Sequence, residues 1–201
     1  MDCYRNFQEL AKHEPEGSAW STEYVPRGSR ILVMAPHGGW IEPFTCDLAA
    51  LVAGEEFSFY AFRGFGSPGG QTLHLTSHRF DEPTALQAAA EAQRVVAIHG
   101  ERTRDRPFVM VGGLWDRFCR ELSEALAEAG FPVKEPRPGL GGRNPRNICN
   151  RGGRGGGGQL EISEGLRRAL RQDHGTKGRF VEVIRAVLLK FESGPDTRQE
   201  D

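Results

Sequence analysis

Two histidines stand in matching surroundings. In Ala35-Pro36-His37-Gly38-Gly39 and in Ala97-Ile98-His99-Gly100, a short apolar block runs into His-Gly. Sites in α/β sheets form at the carboxyl ends of strands. An imidazole there faces a crevice, and the glycine after it lets backbone and ligand approach closely. Glu42 follows His37 across a Gly-Gly turn that can fold its carboxylate back beside the ring. Two histidines and one carboxylate are the ligand set of catalytic zinc, with a fourth position open. One such histidine alone would be assigned to structure; two in the same setting, one with a glutamate nearby, favour a metal.

Glu161 is the second informative carboxylate. Strand alternation across Gln159-Leu160-Glu161-Ile162 sends Gln159 and Glu161 to one face and the two aliphatic residues to the other. The role this suggests for Glu161 is a general base toward water. A strand over 73–76 would place His74 and His78 on one face near solvent; His78, close to Arg79 and Asp81, is the one suited to orient substrate or support the ligands. His13 and His174 are expected at the surface.

The elements that must position these groups follow from periodicity. Residues 4–11 carry Tyr4, Phe7, Leu10 and Ala11 at helical spacing. Residues 30–35 form a buried-type strand that Pro36 is expected to end. Thr45 is expected to cap a helix reaching Ala53, with Gly54 as its stop. Further strands fit 57–62, 73–76, 94–98, 108–111, 131–133 and 159–162. Helices fit the segment from Glu82 onward, 115–129, 164–172 and 179–191. Of these 115–129 is the most regular, with Phe118, Leu122, Ala125, Leu126 and Ala129 repeating and Gly130 ending it. Residues 136–158 are rich in Pro, Gly and Arg and make a long irregular loop, a common place for function. Alternating strands and helices give an α/β fold with helices on both faces of the sheet. Residues 1–194 are expected as one domain, and 195–201 as a disordered polar tail.

The chain has 201 residues, enough for one domain with a core. A net charge of −1 gives no reason to expect general nucleic-acid or membrane binding. The four cysteines, Cys3, Cys46, Cys119 and Cys149, form no CxxC pair, which argues against a cysteine zinc site and a disulfide framework. The first residues lack the apolar run of a signal peptide, and no stretch reaches membrane-spanning length. The expectation is a cytoplasmic monomer, with release on cell lysis left open.

Taken in order, seven motifs resemble one family. They are Ala35-Pro-His-Gly-Gly-x-Ile-Glu-Pro43, Leu73-His-x-Thr-Ser77, Phe80-Asp-Glu-Pro83, Ala97-Ile-His-Gly100, Val111-Gly-Gly113, Asn147-Ile-Cys-Asn-Arg-Gly152 and Gln159-Leu-Glu-x-Ser163. The chain resembles the phage and bacterial poly-γ-glutamate hydrolases, a branch of the zinc carboxypeptidase-like fold. The resemblance implies Zn²⁺ held by His37, Glu42 and His99, with Glu161 as the catalytic glutamate. It also implies a mixed parallel/antiparallel sheet flanked by helices, and hydrolysis of γ-glutamyl amide bonds in a polyanionic polymer or peptide. Each γ-linked residue carries a free α-carboxylate, so the cleft needs fixed cations. Arg143, Arg146 and Arg151 in the long loop are the arginines to expect there, with Asn147 and Asn150 adding hydrogen bonds. Two departures stand out: Trp40 beside the metal turn is expected to reshape the pocket, and the glycines of 152–158 to loosen the loop before Glu161.

Two rival readings exist. One keeps zinc but takes a small N-acyl amino acid or peptide as substrate. The other treats the Gly-Arg tracts around 141–155 as an RGG-type RNA-binding segment; near-neutral charge and the lack of aromatics in the tract count against it.

Overall fold

The computed structural model describes residues 2–66 and 71–194; the tail expected at 195–201 lies outside them. Among the described residues, seven strands form one sheet: β1 (Trp20–Val25), β2 (Ile31–Gly39), β3 (Ser58–Gly64), β4 (Arg94–Glu101), β5 (Val109–Gly113), β6 (Val133–Lys134) and β7 (Gly158–Ser163). Their spatial order is β1-β3-β2-β4-β7-β5-β6. Strands β3, β2, β4 and β7 run parallel, while β1 and β5 join antiparallel, so the sheet is mixed as expected.

Six α-helices among the described residues cover it: α1 (Phe7–His13), α2 (Thr45–Ala53), α3 (Pro83–Glu91), α4 (Asp116–Glu128), α5 (Glu164–Gln172) and α6 (His174–Ser193). On one face Val33, Val96, Ile98, Leu160 and Ile162 pack with α2, α4, α5 and α6. On the other, Leu32, Met34, Val95 and Ala97 meet α1, α3 and the Ile148–Asn150 turn. Central strands buried on both faces explain the continuous apolar runs. No helix among the described residues is long and apolar enough to cross a membrane.

Several elements depart from expectation. Strand β1 was not anticipated, because Ser21, Thr22 and Glu23 dilute its apolar pattern at the sheet edge. Pro36 does not end β2. The strand pairs with β3 through Ala35, slips register, and resumes at Gly38, so Pro36 and His37 sit in a bulge. Pro36 has no N–H to give, and pairing of β2 with β4 stops at Met34↔Ala97. Thr45 does not cap α2 by accepting an amide. Phe44, with φ of 76°, holds the cap position, and the Thr45 hydroxyl donates to the Glu42 carbonyl at 2.7 Å.

Residues 73–76 are not a strand. A 3₁₀ turn at Gln71–Leu73 leads into an irregular stretch whose polar groups are met by side chains: Thr76 N–H donates to Asp2 at 2.9 Å and the Leu75 carbonyl faces His37. Helix α6 starts at His174, earlier than expected, because Asp173 accepts the amides of Gly175 and Thr176 and offsets the helix-weak glycines. Strand β6 lies at Val133–Lys134, slightly later than the expected 131–133.

Candidate active site

The pairing pattern makes the crevice. Beyond Met34 and Ala97 the ends of β2 and β4 are no longer laddered, while β4 and β7 stay paired up to Glu101↔Ser163. His37 emerges from the β2 bulge into that gap. His99 follows Val95 and Ala97 on the face that carries α3, and Glu161 is its register partner on β7. Both glycines after His37 are required. A Cβ on Gly38 would sit 1.7 Å from Cys46 Sγ, and Gly39, at φ of 66°, would clash with the Gly64 carbonyl oxygen at 2.2 Å. The turn they make brings Glu42 back, and its own N–H donates to the His37 carbonyl at 2.8 Å.

His37, Glu42 and His99 converge, with one ligand atom from each lying within 4.8 Å of the others. His37 Nδ1 is 3.1 Å from Glu42 Oε1 and 3.1 Å from His99 Nδ1; His99 Nδ1 is 3.5 Å from Glu42 Oε2. Both histidines are 2 % exposed. His37 Nε2 lies 2.8 Å from the Leu75 carbonyl, which can only accept, so that nitrogen carries the proton and Nδ1 offers its lone pair to the cluster. Ring nitrogens that face each other beside a carboxylate need a cation between them. A proton or a metal ion would answer, and the donor set, two imidazole nitrogens and one carboxylate, suits a divalent transition metal.

The electrostatics agree. Burial alone would raise the Glu42 carboxyl, but His37 beside it and hydrogen bonds to both rings hold it well below the usual carboxylate range. For His99, burial opposes protonation, yet Glu42 and Glu161 outweigh it and raise the pKa. Burial pushes Glu161 up to about 7, with Glu42 and Glu101 adding to the rise and His99 and Arg167 opposing it. Gln159 Nε2 donates to Glu161 Oε1 at 3.0 Å, as strand alternation requires, and Asn147 Nδ2 in turn donates to Gln159 Oε1 at 3.0 Å.

These groups line a cleft of about 1740 Å³, and His78, Asn147 and Arg143 lie on its wall. Arg143 is already paired with Asp116 at 2.8 Å. Arg146, Asn150 and Arg151 are not in the wall. Asn150 is buried, and its amide is spent on backbone: Oδ1 accepts from Leu114 and Gly157, and Nδ2 donates to the carbonyls of Gly142 and Asn144. Arg151 Nε donates to the Arg146 carbonyl at 3.1 Å. Trp40, 44 % exposed, also lies outside the wall.

The glycine run does not loosen its loop. A Cβ on Gly157 would meet the Cys149 carbonyl oxygen at 1.8 Å and one on Gly158 would meet Phe118 at 2.4 Å, so these glycines permit tight packing. The Arg151–Gly155 tract is likewise tied down, with Gly153 and Arg154 amides donating to Ala92 and Gln93 carbonyls.

Sequence reasoning passed over three cleft residues. His74 is not simply solvent-facing: its ring centre is 4.4 Å from that of His37, and burial and His37 push its pKa down to about 4 against the pull of Asp2. Gln159 was assigned a face but no role. Arg167 was not considered, although it shares the helical stripe of Leu166 and Leu170, where a charge is out of pattern.

Fold and site together define a single-sheet α/β protein with a buried His-Glu-His group that could hold a metal ion and a buried glutamate beside it, a make-up that suits a metallohydrolase. A family model described as poly-gamma-glutamate hydrolase matches residues 4–190, and the chain belongs to the poly-γ-glutamate hydrolase family. It is 36 % identical over 201 residues to the UPF0714 protein YmaC of Bacillus subtilis (strain 168), covering 94 % of this chain and 85 % of that protein. A solved bacteriophage poly-γ-glutamate hydrolase superposes with a TM-score of 0.88 at 28 % identity, over 95 % of this chain and 98 % of the other. The zinc-free apo form of YndL superposes with a TM-score of 0.84 at 32 % identity, over 95 % and 99 %.

Proposed function

We propose that this protein is a zinc-dependent hydrolase that cleaves γ-glutamyl amide bonds of poly-γ-glutamate. The observation that carries the reading is the convergence of His37, Glu42 and His99 beside Glu161, in a chain of this family. That a relative of the same fold is known in a zinc-free form supports zinc as the metal. His37, Glu42 and His99 would hold the ion, whose Lewis acidity would polarise an amide carbonyl and acidify water. Glu161 accepts the proton from water at its carboxylate and passes it to the leaving amine. Gln159 fixes the orientation of that carboxylate, and Asn147 fixes Gln159. His78, on the cleft wall, orients the substrate chain.

The α-carboxylates of a γ-linked chain meet cations along the cleft. Arg143 keeps the role the sequence suggested, and Arg168 and Arg171, one turn apart on α5, extend the positive wall in place of Arg146 and Arg151. The cleft is larger than the roughly 300–1000 Å³ typical of small-ligand pockets, which favours a polymer over a small N-acyl amino acid. One chain supplies every group named, so a monomer is sufficient.

The test joins metal content to polymer length. The purified protein should carry about one zinc per chain, a preformed site of three side-chain ligands. It should shorten poly-γ-glutamate and leave poly-α-glutamate largely intact. No zinc bound and none able to activate would sink the reading; equal cleavage of both polymers, or turnover of small N-acyl amino acids alone, would move it to a general amidohydrolase.

A further inference from the structure

We propose that Arg167 is a positioning residue that locks the Glu42 turn against the β4–β7 pair and so sets the geometry of the metal centre. The inference rests on the reading that Glu42, His99 and Glu161 are the working groups. Arg167 is 5 % exposed and its guanidinium reaches three separate backbone carbonyls. Nη1 donates to Pro43 at 2.6 Å, Nη2 to Glu101 at 3.1 Å and Nε to Ile162 at 3.1 Å. Pro43 follows Glu42, Ile162 follows Glu161, and Glu101 lies just past His99. One rigid fork of donors therefore touches the segments that carry Glu42, His99 and Glu161.

The fold needs such a tie. His99 and Glu161 are already in register, because β4 and β7 are laddered around them. The Glu42 turn has no such support, since β2 and β4 part after Met34↔Ala97. Besides the contacts of His99 with His37 and Glu42, the Gly100 N–H donates across that gap to Glu42 Oε2 at 2.8 Å, and Arg167 bridges the Pro43 and Glu101 carbonyls. Gly100 sits directly on the guanidinium, where a Cβ would lie 2.6 Å from Cζ. The glycine after the second histidine thus makes room for Arg167. The charge is matched locally, as Glu42, Glu164, Glu101 and Glu161 surround it and oppose the lowering that burial imposes.

The test compares Arg167→Met, Arg167→Lys and Gly100→Ala with the parent protein, each checked for folding by circular dichroism. Zinc affinity is read by chelator competition, and kcat and KM on poly-γ-glutamate separately. Arg167→Met should bind zinc at least about tenfold more weakly, in the range known for residues that orient metal ligands. Its kcat should fall while KM stays within about twofold. Arg167→Lys, which cannot reach three carbonyls, should fall between, and Gly100→Ala should shift zinc affinity in the same direction as Arg167→Met. Zinc affinity within twofold of the parent in folded Arg167→Met overturns the proposal, as does a rise in KM with affinity intact, which would make Arg167 a substrate contact. If Arg167→Met does not fold, Arg167→Lys and Gly100→Ala are judged by the same criteria. Should the parent itself bind no zinc, the functional reading fails on its own. The positioning role is then decided in the metal-free protein, where Gly100 amide exchange should quicken at least tenfold in Arg167→Lys; unchanged exchange overturns it.

Discussion

Glu42 and Glu161 share this cleft, and their surroundings pull them apart. Glu42 touches both histidines and the Gly100 amide, and is held far down as a carboxylate. Glu161 is buried against Gln159 and lifted to about 7, within reach of a proton at neutral pH. Divergent environments of this kind mark which carboxylate binds and which carries a proton. Glu161→Gln should therefore keep about one zinc per chain and lose roughly 10²–10⁴-fold in turnover, the usual worth of a positioned acid–base group. Glu42→Gln should instead weaken zinc, because a ligand charge is lost. Metal analysis alongside single-turnover assays separates the two; zinc lost from Glu161→Gln but kept by Glu42→Gln would mean the roles are exchanged. At this scale the coming together of His37, Glu42, His99 and Glu161 was legible, since each follows or lies within an apolar strand. His74 was not, because its place beside His37 depends on Asp2, far away in sequence, accepting from both His74 and Thr76.

At the scale of elements, the site exists because β2 changes partners. A bulge at Pro36-His37 keeps β2 on β3 while releasing it from β4, and the released end opens the crevice. The wall opposite is made by the loop before β7, whose glycines are pressed against carbonyls and rings. Gly157→Ala places a methyl against the Cys149 and Val95 carbonyl oxygens, at 1.8 and 2.4 Å, which fixed backbone cannot yield. The expected cost is about 1–3 kcal/mol or more, as for other overpacked sites, read as a lower midpoint in urea. Gly155→Ala is a poor control, since its φ of 69° is itself strained; Gly153→Ala, with only one contact at 3.6 Å, should be close to neutral. A Gly157→Ala protein as stable as the parent would show that this loop gives way and that the glycines do loosen it.

For the whole molecule, the cleft gathers side chains from segments spread from His37 to Arg171, so it exists only in the folded chain. A metal bound by the three ligands is then linked to folding. Zinc at about 100 times its Kd should add about 2.7 kcal/mol to the stability of the folded state. Stripping the metal with chelator should lower the thermal midpoint, and adding zinc back should restore it. His99→Ala should show a midpoint that zinc does not move. A parent midpoint indifferent to both chelator and zinc would contradict a metal coupled to this fold.

The sequence by itself determined the α/β class, the central strands, helices α4 and α5, and the His37, Glu42, His99 and Glu161 set. Those features rest on local periodicity and on residue types that one strand and its following turn can place. What the tertiary structure alone decided depends on partners distant along the chain. Asn147 reaches Glu161 only through Gln159, Asn150 is spent on loop carbonyls, and Arg146 and Arg151 stay out of the cleft. Arginine density in a loop does not reveal direction, because a long side chain goes wherever carbonyls and carboxylates await it. Arg167 is the reverse case: a single charge on an apolar helix face, given its purpose by three carbonyls from three other segments. Hydrogen-bond satisfaction in a buried site is settled by the assembled fold, and no one segment contains enough of the partners to decide it.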